Sequence, residues 1–146
     1  MKLIKGIMAV VLAGSVWVIP ALAADKAYTE GTVWTITMIR VKPGMEDVYW
    51  RDILPTRKKI DEEAKKAGLL ISSHILAGSN SNKEDFNVVF LDEYKNMAAF
   101  DGMEAKYDAI LQKVIGTEDK QVQLMVKRSD LREIMGDKLM RELIVK

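Results

Sequence analysis

His74 is the only imidazole in the 146-residue chain, and it is the one side chain here whose unperturbed charge change falls near neutral pH. Three roles are open to it: general base, axial haem ligand, or hydrogen-bonded interior residue. It lies in Leu69–Ala77, a segment of strand character. Alternation there puts Leu70, Ser72, His74 and Leu76 on one face and Leu69, Ile71, Ser73, Ile75 and Ala77 on the other. The second set is the more apolar and is expected to meet the helices, so Ser72 and His74 are expected to face away from them. Thr35 and Thr37 are the polar half of an earlier strand and are expected to join Ser72 and His74 in one ligand-binding group. His74 is the candidate catalytic residue. No second residue in the sequence completes a site around it.

Other groups carry less chemistry. Asp92-Glu93 resembles a carboxylate pair, but strand neighbours point to opposite faces and cannot share a proton or a metal. Arg40 and Arg141 fall near strand ends and could meet an anionic ligand, with solvation or salt bridging the ordinary outcome. Tyr49 reads as core and Trp50 as half-exposed or interfacial. Gly14, Gly31, Gly44 and Gly78 form no phosphate loop, and no serine elbow is present. With no cysteine, disulfides, thiolate metal sites, a cysteine nucleophile and a lipoprotein anchor are excluded. One histidine excludes a His-pair metal motif within a chain. The scattered methionines read as gap-fillers, and no basic block with interleaved aromatics points to nucleic acid.

The elements that must position these groups follow from periodicity. Thr32–Lys42 is rich in β-branched and aromatic residues and predicts a strand ended by Pro43-Gly44. Met45, Tyr49, Ile53, Thr56, Ile60, Ala64 and Ala67 then recur at helical spacing, with Pro55 as a kink or break and Gly68 as the stop. Asp61–Lys65 and Glu62–Lys66 read as pairs on that helix's solvated face. Leu69–Ala77 and Phe86–Tyr94 predict two further strands around a Gly78–Asn82 loop. Asn96 reads as the cap of a second helix carrying Phe100, Met103, Tyr107, Ile110 and Val114, closed by Gly116. A shorter helix with Val122, Met125 and Val126 follows. Leu139–Val145 is the fourth strand, and Leu131–Met135 is open to either helix or a strand pairing with it across a Gly136-Asp137 turn.

The N-terminus reads as a secretory signal over residues 1–23. Lys2 and Lys5 precede the apolar stretch Gly6–Pro20, and Ala21-Leu22-Ala23 is a small-x-small cleavage signature. Cleavage between Ala23 and Ala24 is expected, leaving a flexible leader over 24–31 and one domain over 32–146. Losing Lys2 and Lys5 takes the 22 basic residues to 20 against 21 acidic ones, a net charge of −1 with His neutral. The expectation is an exported protein, periplasmic or secreted, with no membrane anchor once the signal is cleaved.

The order β-α-β-β-α-(α)-β is that of a ferredoxin-like split βαβ, an α+β arrangement with helices on one face of an antiparallel sheet. Both faces of its strands are apolar, however. Trp34, Ile36 and Met38 alternate with Val33, Ile39 and Val41, and Val88 and Phe90 alternate with Val89 and Leu91. Helices cover one face, so the other calls for a second copy. The chain therefore resembles the dimeric α/β-barrel superfamily, which includes antibiotic-biosynthesis-monooxygenase-like, EthD-like and NIPSNAP-like domains. The likeness covers most of residues 32–146. It is carried by Thr35-Ile36-Thr37-Met38-Ile39-Arg40-Val41-Lys42-Pro43-Gly44-Met45-Glu46 and by Phe90-Leu91-Asp92-Glu93-Tyr94-Lys95-Asn96-Met97-Ala98-Ala99-Phe100. It implies a homodimer forming an α/β barrel, with His74 and Ser72 in the lumen. Chemistry in that superfamily runs from cofactor-free oxygenation to haem degradation, small-acid isomerisation and simple binding, so the fold does not choose among them. The reading preferred is binding of a small, largely apolar molecule between two sheets without a cofactor. The alternatives are a cofactor-independent or haem-using oxygenase-type enzyme centred on His74, and an envelope interaction or assembly module.

Overall fold

The computed structural model describes residues 26–146. The expected signal and its cleavage site lie outside the described residues. Strand β1 (Tyr28–Val41) leads through a Pro43-Gly44 turn into helices α1 (Glu46–Asp52) and α2 (Leu54–Lys66). Strands β2 (Ser72–Ala77) and β3 (Val88–Tyr94) follow, then a 3-10 turn over Met97–Phe100. Helices α3 (Met103–Val114) and α4 (Glu118–Leu131) lead into β4 (Arg132–Val145). The four strands form one antiparallel sheet in the order β2-β3-β1-β4, the ferredoxin-like arrangement expected from the sequence. Among the described residues no helix is long and apolar enough to cross a membrane.

The helices pack on a single face of this sheet. Ile39, Val41, Val88 and Phe90 meet Tyr49, Ile53 and Leu131 in one buried cluster. Tyr94 and Leu70 meet Ile60, Ala64 and Ile110 in a second. Full burial of side chains of this size is worth about 1.5–3 kcal/mol each, so the two clusters hold the helical layer to the sheet. Pro55 acts as expected: the helix divides at Ile53, and Pro55 lies in the first turn of α2, where its missing N–H costs nothing.

Four expectations are corrected. Asn96 caps the 3-10 turn, accepting from the Ala99 N–H. Helix α3 starts only after Gly102, whose φ of 63° suits glycine. Leu131–Met135 does not fold back on Leu139–Val145. Leu131 ends α4, and Arg132–Val145 is one strand along β1. Gly136 is a point of close approach there and no turn: a Cβ on it would lie 3.0 Å from Met38 Cε, beside a register shift of the β1–β4 ladder. The leader is also partly strand. Tyr28, Thr29 and Glu30 pair with Val145, Ile144 and Leu143, so β1 begins ahead of Thr32. Finally, Asp61 is buried instead of lying on the solvated helix face, and pairs with Arg57.

Pairing of β1 with β3 starts only at Val33. The stretch Tyr28–Glu30 with Leu143–Val145 is therefore a two-stranded ribbon running past the rest of the sheet, and Leu143, Ile144 and Val145 on it are more than half exposed.

Candidate functional site

Strand register divides the expected site residues between two faces. Ser72 aligns with Glu93 and His74 with Leu91, while Trp34 aligns with Glu93 and Ile36 with Leu91. These residues occupy the face that no helix covers. Ser72 and His74 are thus placed as expected, away from the helices. The Trp34 and His74 rings lie 6.4 Å apart, centroid to centroid, with planes inclined by 24°. Around them Ile36, Met38, Leu76, Val89, Leu91 and Met140 make the open face largely aliphatic. Beside His74 on this face the Ser72 hydroxyl donates to Glu93 Oε2 at 2.7 Å.

Thr35 and Thr37 do not belong to this group. Thr35 aligns with Asp92 and Thr37 with Phe90, both on the helix side. The error was one of parity: both faces of β1 are apolar, so the threonines looked like the polar half of either. Thr35 hydrogen-bonds to Tyr94, which also hydrogen-bonds to Tyr107. Burial raises the pKa of both phenols, and for Tyr107 the neighbouring Tyr94 adds to the shift.

Thr37 lines a chamber between helices and sheet, and here a cluster of arginines and carboxylates gathers. The chamber has a volume of about 200 Å³, with Arg57, Arg128 and Arg132 converging on it around Phe90. Arg57 reaches both carboxylate oxygens of Asp92 at 2.6 Å and binds Asp61 at 2.8 Å, while Ser73 donates to Asp61 at 2.9 Å. Burial works against the Arg57 charge, but Asp92 and Asp61 outweigh it and hold its pKa above the ordinary value. Arg132 donates to Tyr49 Oη at 2.7 Å. The guanidiniums of Arg57 and Arg132 lie 4.8 and 5.8 Å from the centre of the Phe90 ring, within cation–π range. Arg128 differs. Its Nε is buried with no hydrogen-bond partner among the described residues. Desolvation first, then repulsion from Arg132 and Arg57, pushes its pKa below the usual arginine value.

The arginine cluster escaped the sequence reading because its members come from α2, α4 and β4. In sequence, the i,i+4 spacings Arg57–Asp61 and Arg128–Arg132 do not differ from ordinary surface charge. Arg40 pairs with Glu133 and Arg141 with Glu30, as expected of strand-end arginines. Tyr49 is fully buried and Trp50 half-buried, also as expected. Among the described residues no group of three or more His, Asp or Glu side chains is placed to hold a metal ion.

No family model matches the chain, and no curated protein matches it. Solved structures do. A dimeric ferredoxin-like protein from an uncultured marine organism is 20% identical with a TM-score of 0.48, over 81% of this chain and 98% of that one. A protein from Shewanella oneidensis is 12% identical with a TM-score of 0.47, over 81% and 97%. A NIPSNAP family protein of unknown function from Agrobacterium tumefaciens is 15% identical with a TM-score of 0.44, over 80% and 90%.

Proposed function

We propose that the protein is exported and works as a homodimer, two sheets packed open face to open face, binding a small, largely apolar molecule between them. The observation that carries this reading is the open face itself: an aliphatic surface with Trp34 and His74 side by side and no helix over it. Contiguous apolar surface of this kind is a recognised mark of an interaction site. The geometry favours a second copy as its cover. Sheets of like twist stack face to face about 10 Å apart, the spacing at which side chains such as Leu91 and Ile36 interdigitate. The projecting ribbon of Tyr28–Glu30 and Leu143–Val145 points the same way, since a two-stranded ribbon alone is marginal in water and gains from lying against a neighbour. On that face His74 offers the ligand a polar contact beside the Trp34 ring.

A thermal-shift series with indole, naphthalene and decanol tests the binding half of this reading, on residues 24–146 and on the His74→Gln variant. A saturable rise in melting temperature that His74→Gln loses, with an unchanged circular-dichroism spectrum, supports it. A response equal in both proteins places the ligand elsewhere. The export half is tested by intact mass: a chain recovered from the cell envelope or medium should begin at Ala24, and a retained Met1 with membrane association would contradict it.

A further inference from the structure

We propose that the chamber under α4 is an anion site taking a small organic carboxylate, gripped by Arg128 and Arg132 above Phe90. It lies on the helix side of the sheet, so it stands independently of how the open face is covered.

The argument begins with charge. Of the three arginines, Arg57 is matched by Asp61 and Asp92. Arg132 donates to the neutral Tyr49 hydroxyl, and the buried Nε of Arg128 has no hydrogen-bond partner among the described residues. Two guanidiniums four residues apart, partly withdrawn from water and without a carboxylate partner, are an unusual expense. A buried charge is ordinarily paired, and a buried N–H ordinarily has an acceptor. Asp137 also borders the chamber, and among the described residues it has no ion pair with either. An anion held between Arg128 and Arg132 would supply the missing acceptor and relieve their mutual repulsion.

Shape and lining narrow the class. Guanidinium forks match planar carboxylates through two parallel hydrogen bonds, which favours a carboxylate over a spherical ion. The chamber's volume, about 200 Å³, falls below the roughly 300–1,000 Å³ of drug-sized sites, so its occupant is small. Ile53, Phe90 and Ile134 form the rest of the wall and suit a short alkyl tail.

Calorimetric and thermal-shift titrations at constant ionic strength, with sodium butyrate and with inorganic phosphate, test the site. Wild-type protein should bind butyrate saturably and more tightly than phosphate, and Arg128→Gln should weaken butyrate by at least about tenfold. Without ligand, Arg128→Gln should be at least as stable as wild type, because it removes an unpaired, partly buried charge. Should that variant fail to fold, Arg128→Lys keeps the charge without the fork and should show the same loss of butyrate affinity. No saturable response to butyrate, an equal response in the variant, or tighter binding of phosphate would each overturn the proposal. None of these outcomes bears on His74 or on dimerisation, so the two readings fail separately.

Discussion

Asp92 and Glu93 are chain neighbours that serve opposite sides of the sheet. The Asp92 carboxylate holds Arg57 at 2.6 Å beneath the helices, and Glu93 accepts from Ser72 at 2.7 Å on the open face. Strand alternation alone separates them. The sheet is therefore a partition, with buried ionic chemistry on one side and an uncovered apolar surface on the other.

Removing these two acids should have unequal effects. Asp92→Ala leaves Arg57 largely buried with only Asp61 to face it, and the loss should be about 3 kcal/mol, the scale for breaking a buried pair from one side. Glu93→Ala removes one partly buried hydrogen bond and should cost about 1 kcal/mol. Urea denaturation of the two variants gives the comparison. Equal losses would mean that Arg57 is not held as the geometry shows.

Phe90 and Leu91 provide a second paired test. Phe90 is buried in the core cluster, whereas Leu91 lies on the open face. Phe90→Lys should abolish folding, because it places an unpaired charge in the core. Leu91→Lys should keep a native circular-dichroism spectrum and separate the proposed dimer into monomers. A Leu91→Lys protein that remains dimeric would move the interface to another surface.

The order of elements was legible in the sequence because the helices carry a clear period and several elements carry their own stops, Gly44, Gly68 and Gly116 among them. The placement of Ser72 and His74 was legible too, since the Ile71/Ile75 row beside them is plainly the more apolar. Thr35 and Thr37 were not, because β1 is apolar on both faces and its polarity pattern gives no direction. The arginine chamber was hidden for a different reason. Arg57, Arg128 and Arg132 meet only when α2 and α4 dock on the sheet, and no local pattern distinguishes a charged residue aimed inward from one aimed at water. The full-length β4 was missed because Gly136-Asp137 has turn chemistry, while Gly136 in fact makes room for Met38.

Acid should loosen the contact between α2 and α3. Lys113 and Lys66 both donate to Glu63, and these bonds lower its pKa from 4.5 to about 2. A carboxylate whose folded pKa is depressed contributes stability that is present above the unfolded value and lost as pH falls through the folded one. The difference in urea midpoint between wild type and Glu63→Gln should therefore hold near neutral pH. It should shrink as pH falls below 4.5 and vanish near 2. Because the group is only partly withdrawn from water, the effect should be small and reduced by salt. A difference that does not change with pH would show that Glu63 is not held by its lysines.

Sedimentation equilibrium on residues 24–146 at micromolar concentration tests most directly whether a second copy covers the open face. Sheet-on-sheet pairing predicts twice the chain mass for wild type and a single chain mass for Leu91→Lys, both with native circular dichroism. A folded wild-type protein that sediments as a monomer would contradict it.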